Sequence, residues 1–373
     1  MTLLIKPASG LCNMRCKYCF YADEMAHRAT QSYGVMSFDT AEKTVQKAIE
    51  YSKNDGAVGF MFQGGEPTLA GIDFFRHFVE CIKKYNVCNL KVSLAIQTNG
   101  YAVNAEWAKF FADNGFLVGL SIDGPAEIHN RHRVDAAGHA TFNKVMSAAA
   151  LFKKYGVQYN TLTVVTSENA KSAQKIYNFL VKNGMTWQQF IPCLDTLSDG
   201  NDTASKPPLT GEEYGRFLCN LFDRWYGDMK AGRYVYNRTF ENYVGILVGR
   251  PPEDCGMCGY CTVQFVVEAD GSVYPCDFYA LDEYRLGSLV TDPIKSLLAR
   301  AEEIKFVEES KTLPDECRSC EWVFLCRGGC RRNREPFENG IPSRNRFCEG
   351  YKAFFRHSYP RMLELARALS RKR

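Results

Sequence analysis

Three cysteines near the amino terminus have a spacing that suits a metal cluster. Cys12, Cys16 and Cys19 lie within eight residues, in the segment CNMRCKYC. Three thiolates are an odd number for a disulfide framework and one ligand short of a closed structural zinc site. An iron–sulfur cubane held by three thiolates leaves its fourth iron free for another ligand, which separates a catalyst from an electron carrier. The alternatives are a zinc site completed by His27 and a chance spacing.

A second, denser group of nine cysteines lies between residues 255 and 348. Its members are the three of CGMCGYC (255–261), Cys276, the run Cys317-x2-Cys320-x5-Cys326-x3-Cys330, and Cys348. Read alone, the run from 317 to 330 suits either a zinc ribbon or an iron–sulfur cluster. Sixteen cysteines in 373 residues therefore indicate either disulfides in a secreted protein or metal ligands in a reducing compartment.

The start of the chain and its charge favour metal ligands in the cytoplasm. Residues 1–7 (MTLLIKP) lack the basic leader, apolar region and cleavage site of a signal peptide. No window approaches 18 uninterrupted apolar residues, so no membrane span is predicted. The net charge is +4, from 46 basic and 42 acidic residues, which is too small to indicate a nucleic-acid partner. We therefore expect a soluble cytoplasmic protein.

The elements that must position the first cysteines alternate between strand and helix. Short apolar, β-branched runs predict strands at 2–5, 57–62, 90–96, 116–122, 157–165 and 187–191. Segments with helical period predict helices at 41–51, 74–85, 105–114, 143–155 and 171–183. Six strands with intervening helices imply a parallel α/β sheet, either an open doubly wound sheet or a partial barrel. Periodicity does not separate these two.

Polar and glycine-rich loops follow the first four predicted strands. The cysteine segment follows the first strand, and QGGEP (63–67), QTNG (97–100) and SIDGP (121–125) follow the next three. Because ligands gather at the carboxyl ends of parallel strands, we expect these loops to share one rim. The alternative for any single loop is that its Gly, Asn, Asp and Pro residues only form a turn.

The rest of the chain predicts a linker and a smaller domain. A polar stretch at 197–208 predicts the linker, helices are predicted at 214–229, 240–248 and 350–369, and the basic tail at 371–373 is interpreted as a solvated terminus. Asp270-Gly271 predicts a hairpin between 263–268 and 272–276. We place the domain boundary so that residues 1–234 form the α/β domain with its linker and residues 235–373 form the cysteine-rich domain with the final helix.

The first cysteine segment, with Tyr18 before its last cysteine, resembles the signature of the radical S-adenosylmethionine (SAM) enzymes. The resemblance implies a partial (β/α)6 barrel and a [4Fe-4S] cluster on Cys12, Cys16 and Cys19 whose open iron binds S-adenosylmethionine. It also implies that the S-adenosylmethionine site is lined by Tyr18, Gly64, Gly65, Glu66, Ser121, Arg133 and Leu194.

The second cysteine group resembles the SPASM domain, which carries two auxiliary [4Fe-4S] clusters. The resemblance implies one ligand set of Cys255, Cys261, Cys276 and Cys330, and another of Cys317, Cys320, Cys326 and Cys348. Cys258 is then left over, and which two cysteines of CGMCGYC are ligands stays open, with the family pattern favouring the outer pair. The neighbouring arginines Arg327, Arg331, Arg332 and Arg334 are interpreted as stabilising a reduced cluster rather than as a nucleic-acid patch.

Longer matches resemble one subfamily, the anaerobic sulfatase-maturating enzymes. They are CNMRCKYCFYAD (12–23), FQGGEPTLAG (62–71), AIQTNG (95–100), GLSIDGPAEIHNRHR (119–133), QFIPCLD (189–195), VVEADGSVYPCDFYALDEYRLG (266–287) and CRGGCRRNRE (326–335). The resemblance implies conversion of a Cys or Ser in an unfolded sulfatase segment into Cα-formylglycine by a 5′-deoxyadenosyl radical, without oxygen. Asp277, beside Cys276, is the predicted catalytic base.

The resemblance also implies partners and leaves two rival classes. The expected partners are a sulfatase polypeptide as the substrate and a reducing electron donor such as flavodoxin or ferredoxin. The enzyme is expected to be a monomer. One rival is another radical SAM/SPASM enzyme that crosslinks a peptide. Many such enzymes carry an N-terminal peptide-recognition domain, and we expect none here because the first strand is predicted to begin at residue 2. The other is a non-enzymatic metal-binding scaffold. The preference for cysteine or serine stays open.

Overall fold

The computed structural model describes residues 1–197 and 208–370, which pack as two compact units. The first unit comprises Met1–Ile122, His129–Asn160 and Val263–Lys305, and the second comprises Asp123–Ile128, Thr161–Thr262 and Phe306–Arg373. Residues 198–207 of the predicted linker and the basic tail at 371–373 lie outside the described residues. The predicted domain boundary after residue 234 stays a prediction, because compact packing alone does not define a domain of the sequence.

The strands begin and end close to the predicted positions. In chain order they are β1 (Thr2–Ile5), β2 (Ala57–Phe62), β3 (Lys91–Thr98), β4 (Leu117–Ser121), β5 (Tyr159–Val165), β6 (Trp187–Pro192), β7 (Tyr236–Asn237), β8 (Val266–Val267), β9 (Ser272–Tyr274), β10 (Gly287–Ser288), β11 (Phe337–Glu338) and β12 (Ile341–Pro342). The six strands and the hairpin that the apolar runs predict are therefore confirmed.

The helices include all those predicted and several that the sequence analysis missed. They are α1 (Phe20–Ala26), α2 (Phe38–Ser52), α3 (Ile72–Tyr85), α4 (Ala105–Asp113), α5 (Ala126–His132), α6 (Phe142–Tyr155), α7 (Ala173–Lys182), α8 (Gly211–Lys230), α9 (Arg238–Leu247), α10 (Ile294–Glu303), α11 (Phe306–Lys311), α12 (Asp315–Arg318), α13 (Val323–Cys326) and α14 (Cys348–Ser370). Short 3-10 turns lie between them, among them Cys255–Met257, Asp277–Tyr279 and Arg331–Arg334.

In the first unit, neighbouring strands of the sheet follow one another in chain order. Strands β1, β2, β3 and β4 are parallel neighbours in chain order, with Leu3 opposite Phe60 and Phe60 opposite Leu94. A doubly wound sheet would instead reverse its strand order at a switch point. The sequential order is that of a barrel-type α/β fold, as the predicted partial barrel requires. On the other side of β1, β8 pairs in parallel and continues into the antiparallel strands β9 and β10.

Phenylalanines fill the space between β2 and α3 in the first unit. Phe60, Phe62, Phe75 and Phe78 are all at most 1% exposed. Phe62 meets Phe75 and Phe78 edge-on, with ring centroids 4.9 Å apart in both pairs. Burying each such side chain contributes roughly 1.5–3 kcal/mol, and edge-to-face contacts add about 0.5–1.5 kcal/mol. This packing holds the end of β2, from which the QGGEP loop leaves.

Two long helices of the second unit approach each other closely at glycines. The hydroxyl of Thr210 and the carboxylate of Glu213 form a capping box at the start of α8, which satisfies free backbone donors there. A Cβ atom on Gly350 of α14 would lie 2.0 Å from the carbonyl oxygen of Gly211. Both helices are amphipathic, and within residues 1–197 and 208–370 no helix has the length and apolarity to cross a membrane.

Candidate active site

The first three cysteines lie in the loop between β1 and α1. Cys19 is the residue that precedes α1, and the Met14 N–H points to the Cys12 sulfur at 3.4 Å. Burial raises the pKa of the Cys12 thiol to about 12, with further contributions from Glu66, Cys16 and Cys19 nearby. Such a thiol becomes a thiolate when a metal replaces its proton. Three convergent sulfurs that supply no fourth ligand fit an iron–sulfur cluster with one open iron.

The QGGEP loop is locked against the cysteine loop by backbone contacts. The N–H groups of Gly65 and Glu66 donate to the carbonyl oxygens of Ser9 and Leu11, both at 2.8 Å. A Cβ atom on Gly65 would lie 2.2 Å from the Leu11 oxygen, so only glycine permits this approach. Gly64 has φ +120°, a conformation that other residues rarely adopt. The two glycines therefore set the distance between the loops that follow β1 and β2.

Glu66 connects the loops that follow β2 and β3. Its carboxylate is 1% exposed, and Oε1 accepts from the hydroxyls of Thr68 and Thr98, both at 2.7 Å. Oε2 accepts from the Asn99 N–H at 2.8 Å. Burial raises the pKa of Glu66, and these donors work against that rise. The amide of Asn99 in turn reaches the Cys12 sulfur at 3.7 Å, so the carboxylate orders the surroundings of the cysteine loop.

Of the other predicted residues in the first unit, Arg133 contacts the cysteine loop and Ser121 lies at the carboxyl edge of the sheet. The guanidinium of Arg133 lies 4.0 Å from the Cys16 sulfur and 5.4 Å from the ring centroid of Tyr18. Ser121 is the last residue of β4, so it lies at the carboxyl edge of the sheet, as do the cysteine and QGGEP loops. Leu194 follows β6 and belongs to the second unit. Binding of S-adenosylmethionine by these residues stays a prediction.

Asp277 is held by a lysine and a glutamine that the sequence analysis did not select. The Lys6 ammonium, at the end of β1, lies 2.9 Å from Asp277 Oδ1, and Lys6 is fully buried. The Gln63 amide donates to Asp277 Oδ2. Asp277 itself is 8% exposed. The predicted base is therefore a buried carboxylate with one cationic and one neutral partner, at the ends of β1 and β2.

A second buried carboxylate, that of Glu268, also lies near Lys6. The Tyr21 ring lies beneath the Lys6 ammonium at 3.4 Å, and the Tyr21 hydroxyl donates to Glu268. Arg28 donates to the same carboxylate at 2.8 Å. Burial opposes the charge on Lys6, but Asp277, Tyr21 and Glu268 together hold its pKa above the ordinary value. Lys6 is therefore a permanent cation at neutral pH.

The only sequence signals for this network were weak. Lys6 and Gln63 each directly follow an apolar strand, where a polar side chain lies at the carboxyl edge of a parallel sheet. Nothing in the local sequence tells that Lys6 is buried, because its partner Asp277 is far away along the chain.

In the second unit, four thiols influence one another as the second predicted ligand set requires. The pKa of Cys326 is raised to about 11 by burial and by Cys348, Cys317 and Cys320. Cys326 ends α13 and Cys348 begins α14. Their proximity supports one four-thiolate cluster, although the ligation itself stays a prediction.

Three cysteines of the other predicted set also gather in the second unit. Burial raises the pKa of Cys330 to about 12, and Cys255 and Cys261 raise it further. Cys276, the fourth of that set, belongs to the first unit. The Cys258 sulfur instead points to the Asp254 carbonyl oxygen at 3.6 Å. This arrangement supports the outer pair of CGMCGYC as ligands, which remains a prediction.

The arginines near the last cysteines of the second unit differ in their burial and in their hydrogen-bond partners. Arg331 and Arg334 are buried. Arg331 donates to the Phe306 carbonyl oxygen at the start of α11, and Arg334 donates to the Ser310 oxygen near its end at 2.6 Å and to the Thr312 oxygen just beyond it. Arg327 donates to the Met257 oxygen at 3.3 Å. Buried, engaged guanidinium groups do not form a surface patch for nucleic acid.

Comparison with known proteins agrees with this fold and site. Residues 7–180 match the Radical SAM superfamily, and residues 258–321 match SPASM, an iron–sulfur cluster-binding domain. The fold and the cysteine sites therefore define a radical SAM protein with a SPASM domain.

The finer relationship rests on full-length similarity. A cysteine-type anaerobic sulfatase-maturating enzyme of Clostridium novyi (strain NT) is 44% identical over 99% of this chain and 98% of its own length. A serine-type enzyme of Bacteroides thetaiotaomicron is 32% identical over 96% and 90%. The solved structure of native anSMEcpe with bound AdoMet and Cp18Cys peptide is 44% identical, with a TM-score of 0.91 and 99% of both chains covered. The chain belongs to the anaerobic sulfatase-maturating enzymes.

Proposed function

We propose that this radical SAM enzyme converts a cysteine, in preference to a serine, of a sulfatase segment into Cα-formylglycine. The observation that carries the preference is the difference in identity to the two kinds of relative, 44% for the cysteine-type enzyme and 32% for the serine-type enzyme. Each of these relatives covers nearly the whole chain. The peptide in the similar solved structure is also named as a cysteine peptide.

The cofactors of this function are three [4Fe-4S] clusters and S-adenosylmethionine. We assign the catalytic cluster to Cys12, Cys16 and Cys19, and each auxiliary cluster to four cysteines as predicted above. When bound, the first cluster and S-adenosylmethionine together supply a carbon radical that removes a hydrogen atom from the substrate Cβ. The residues around them bind, orient and exclude water.

Asp277 is the group that we assign to take the substrate proton. The Lys6 ammonium lies 2.9 Å from its Oδ1 and holds the carboxylate in a nearly water-free position. The Gln63 amide on Oδ2 restricts rotation of the carboxylate, and each oxygen still has a lone pair that can accept the thiol proton. The auxiliary clusters, when bound, would supply the acceptor for the electron that remains on the substrate carbon. The thioaldehyde would then be hydrolysed to the aldehyde with release of hydrogen sulfide.

The substrate is an extended polypeptide segment, and the remaining partners are assigned by chemistry. A low-potential donor such as flavodoxin or ferredoxin supplies the electron that starts the reaction. We place the enzyme in the cytoplasm, as a monomer, where sulfatase chains are still unfolded. The rival that crosslinks a peptide would leave no aldehyde.

A matched pair of peptides tests this proposal. Anaerobically reconstituted enzyme is given S-adenosylmethionine and peptides of about 20 residues, which span the motif and both flanks at about 3.3–3.6 Å per residue. The two peptides differ only in Cys or Ser at the target, and an Ala peptide is the control. We expect formylglycine from both, with the larger kcat/KM for the cysteine peptide. Faster turnover of the serine peptide would overturn the preference, and a crosslinked product would overturn the function.

A further inference from the structure

A group of metal-binding side chains lies on the helical layer of the first unit and plays no part in the proposed function. Glu42 of α2 faces His77 and Cys81 of α3, and their ligand atoms all lie within 4.8 Å of one another. In the part of the chain that the structure describes, no other group of three His, Cys, Asp or Glu side chains is this close. None of the three belongs to the predicted cluster ligands.

The geometry of the pair on α3 matches a tetrahedral metal site. His77 and Cys81 are four residues apart on one helix, so their side chains share a face. The His77 Nε2 atom lies 3.4 Å from the Cys81 sulfur. A tetrahedral zinc with Zn–S of about 2.3 Å and Zn–N of about 2.0–2.1 Å places these two atoms roughly 3.5 Å apart. The two atoms are therefore spaced for one ion, and the contact of His77 Nε2 with the Phe38 carbonyl oxygen at 3.3 Å must be given up when the ion binds.

The surroundings hold the imidazole in this position. The His77 ring stacks on Phe38, with centroids 4.5 Å apart and an interplanar angle of 14°. Cys81 is 3% exposed, so its sulfur cannot rotate away into water. The third ligand comes from the neighbouring helix, and its side chain is about one-third exposed.

We propose that Glu42, His77 and Cys81 bind one zinc ion, with water as the fourth ligand, and that the ion clamps α2 to α3. A donor set of one sulfur, one imidazole nitrogen and one carboxylate oxygen suits zinc better than calcium or magnesium, which prefer oxygen alone. The site lies on helices that cover the sheet, so its role is structural. Binding replaces the thiol proton of Cys81 and involves no redox change.

Two side chains already donate hydrogen bonds to the Glu42 carboxylate, and one of them must move when the metal binds. The Lys84 ammonium and the Tyr85 hydroxyl both donate to Glu42 Oε1, at 2.6 and 2.7 Å. The Lys84 side chain is 63% exposed, and an exposed ion pair of this kind is worth little, so the ammonium can turn to solvent. The second carboxylate oxygen, Oε2, then serves as the metal ligand while Tyr85 keeps its hydrogen bond.

The test uses the anaerobically reconstituted holoenzyme and zinc alone. One equivalent of Zn²⁺ is added, unbound metal is removed by gel filtration, and zinc and iron are counted per chain. Zinc-edge X-ray absorption then reports the ligands without interference from iron. The variants are Cys81→Ala and His77→Gln, and the matched control is Cys88→Ala, which removes an exposed cysteine just beyond the same helix.

The expected result is about one zinc per chain in the wild type and in Cys88→Ala, with one sulfur at about 2.3 Å. Zinc retention should fall at least tenfold in Cys81→Ala and His77→Gln, with iron content unchanged, which shows that both variants are folded. The proposal is overturned if the wild type retains no zinc, or if zinc is retained equally by all variants. Three or four sulfur ligands per zinc would also overturn it, because they would place the metal in a cluster site.

Discussion

At the scale of single residues, the predicted base is a buried carboxylate in contact with a buried cation. A lone buried carboxylate would be costly, and an ammonium in direct contact offsets that cost. Lys6 supplies this charge to Asp277, while Arg28 supplies it to Glu268. Tyr21 lies between the two pairs and contacts both. The predicted base is therefore part of a network of charged groups that includes Lys6, Arg28 and Glu268, and each member can be tested separately.

Replacing the carboxylate of Asp277 should separate radical formation from product formation. Asp277→Asn keeps the shape and removes the basic group, so we expect 5′-deoxyadenosine to form while formylglycine appears at least about 10²-fold more slowly. Asp282→Asn, an exposed aspartate in the same segment, is the control and should behave like the wild type. Near-normal aldehyde formation by the fully reconstituted Asp277→Asn enzyme would reject the base.

Removing the charge of Lys6 should destabilise the protein as well as slow it. Lys6→Met keeps the length of the side chain but leaves buried carboxylates without their cation, at a cost of about 3–5 kcal/mol. Thermal unfolding of the anaerobic holoenzyme should show a clearly lower Tm. The control Lys43→Met removes an exposed ion pair with Asp39 and should leave the Tm almost unchanged.

The pH dependence of this effect follows from the raised pKa of Lys6. A group whose pKa is higher in the folded state contributes its full stability below its unfolded pKa, about 10.4 for lysine, and loses it only as pH rises through the folded value. The Tm difference between wild type and Lys6→Met should therefore be the same at pH ~6.5 and ~8.5. A difference that disappears across this range would show that Lys6 is not a permanent cation.

At the scale of the elements, two positions require glycine because another backbone segment passes close to them. Gly65 permits contact between two loops of the first unit, and Gly350 permits contact between two helices of the second. In both places the atom that a Cβ would meet is a backbone oxygen, which cannot move aside as a side chain can. These positions therefore tolerate substitution much less than a glycine that faces solvent.

Two glycine-to-alanine changes in one helix pair test this explanation. Gly350→Ala of α14 forces a Cβ against the backbone of α8, which we expect to cost about 1–3 kcal/mol or more. Gly227→Ala, in α8, meets nothing within 4 Å and should stabilise the helix by up to about 1 kcal/mol. The Tm values of the two holoenzyme variants should move in opposite directions. An unchanged or higher Tm for Gly350→Ala would contradict the close backbone approach.

The elements were more predictable than the contacts between them. Apolar runs of strand length placed β1 to β6, because a strand buried on both faces must be continuously apolar. The helix α1 was missed because only seven residues follow Cys19 before it ends, too few for a periodic pattern. The cysteine motifs gave candidate cluster ligands through their spacing together with the family resemblance, and the ligation stays a prediction. The partners of Asp277 could not be predicted, since Lys6 meets it only through the pairing of β1 with β8.

At the scale of the whole molecule, the metal content should divide between the predicted cluster sites. Anaerobically reconstituted wild type should hold about 12 iron atoms per chain, and the triple variant Cys12→Ala, Cys16→Ala, Cys19→Ala about 8. The triple variant should no longer cleave S-adenosylmethionine. Iron and sulfide analysis measures this, with Cys88→Ala as the control that keeps about 12. Zinc without sulfide in the wild type, or loss of all iron in the triple variant, would contradict the assignment.

The parallel pairing of β1 with β8 also sets the order in which the protein can be made. Leu4 lies opposite Val266, so the first strand waits for a partner that leaves the ribosome 262 residues later. At about 5–20 residues per second this delay is roughly 13–52 s. Until then Lys6, Arg28 and the cysteine loop lack their distant neighbours. The buried network of Lys6 with Asp277 and of Arg28 with Glu268 can therefore close only late in synthesis or after it.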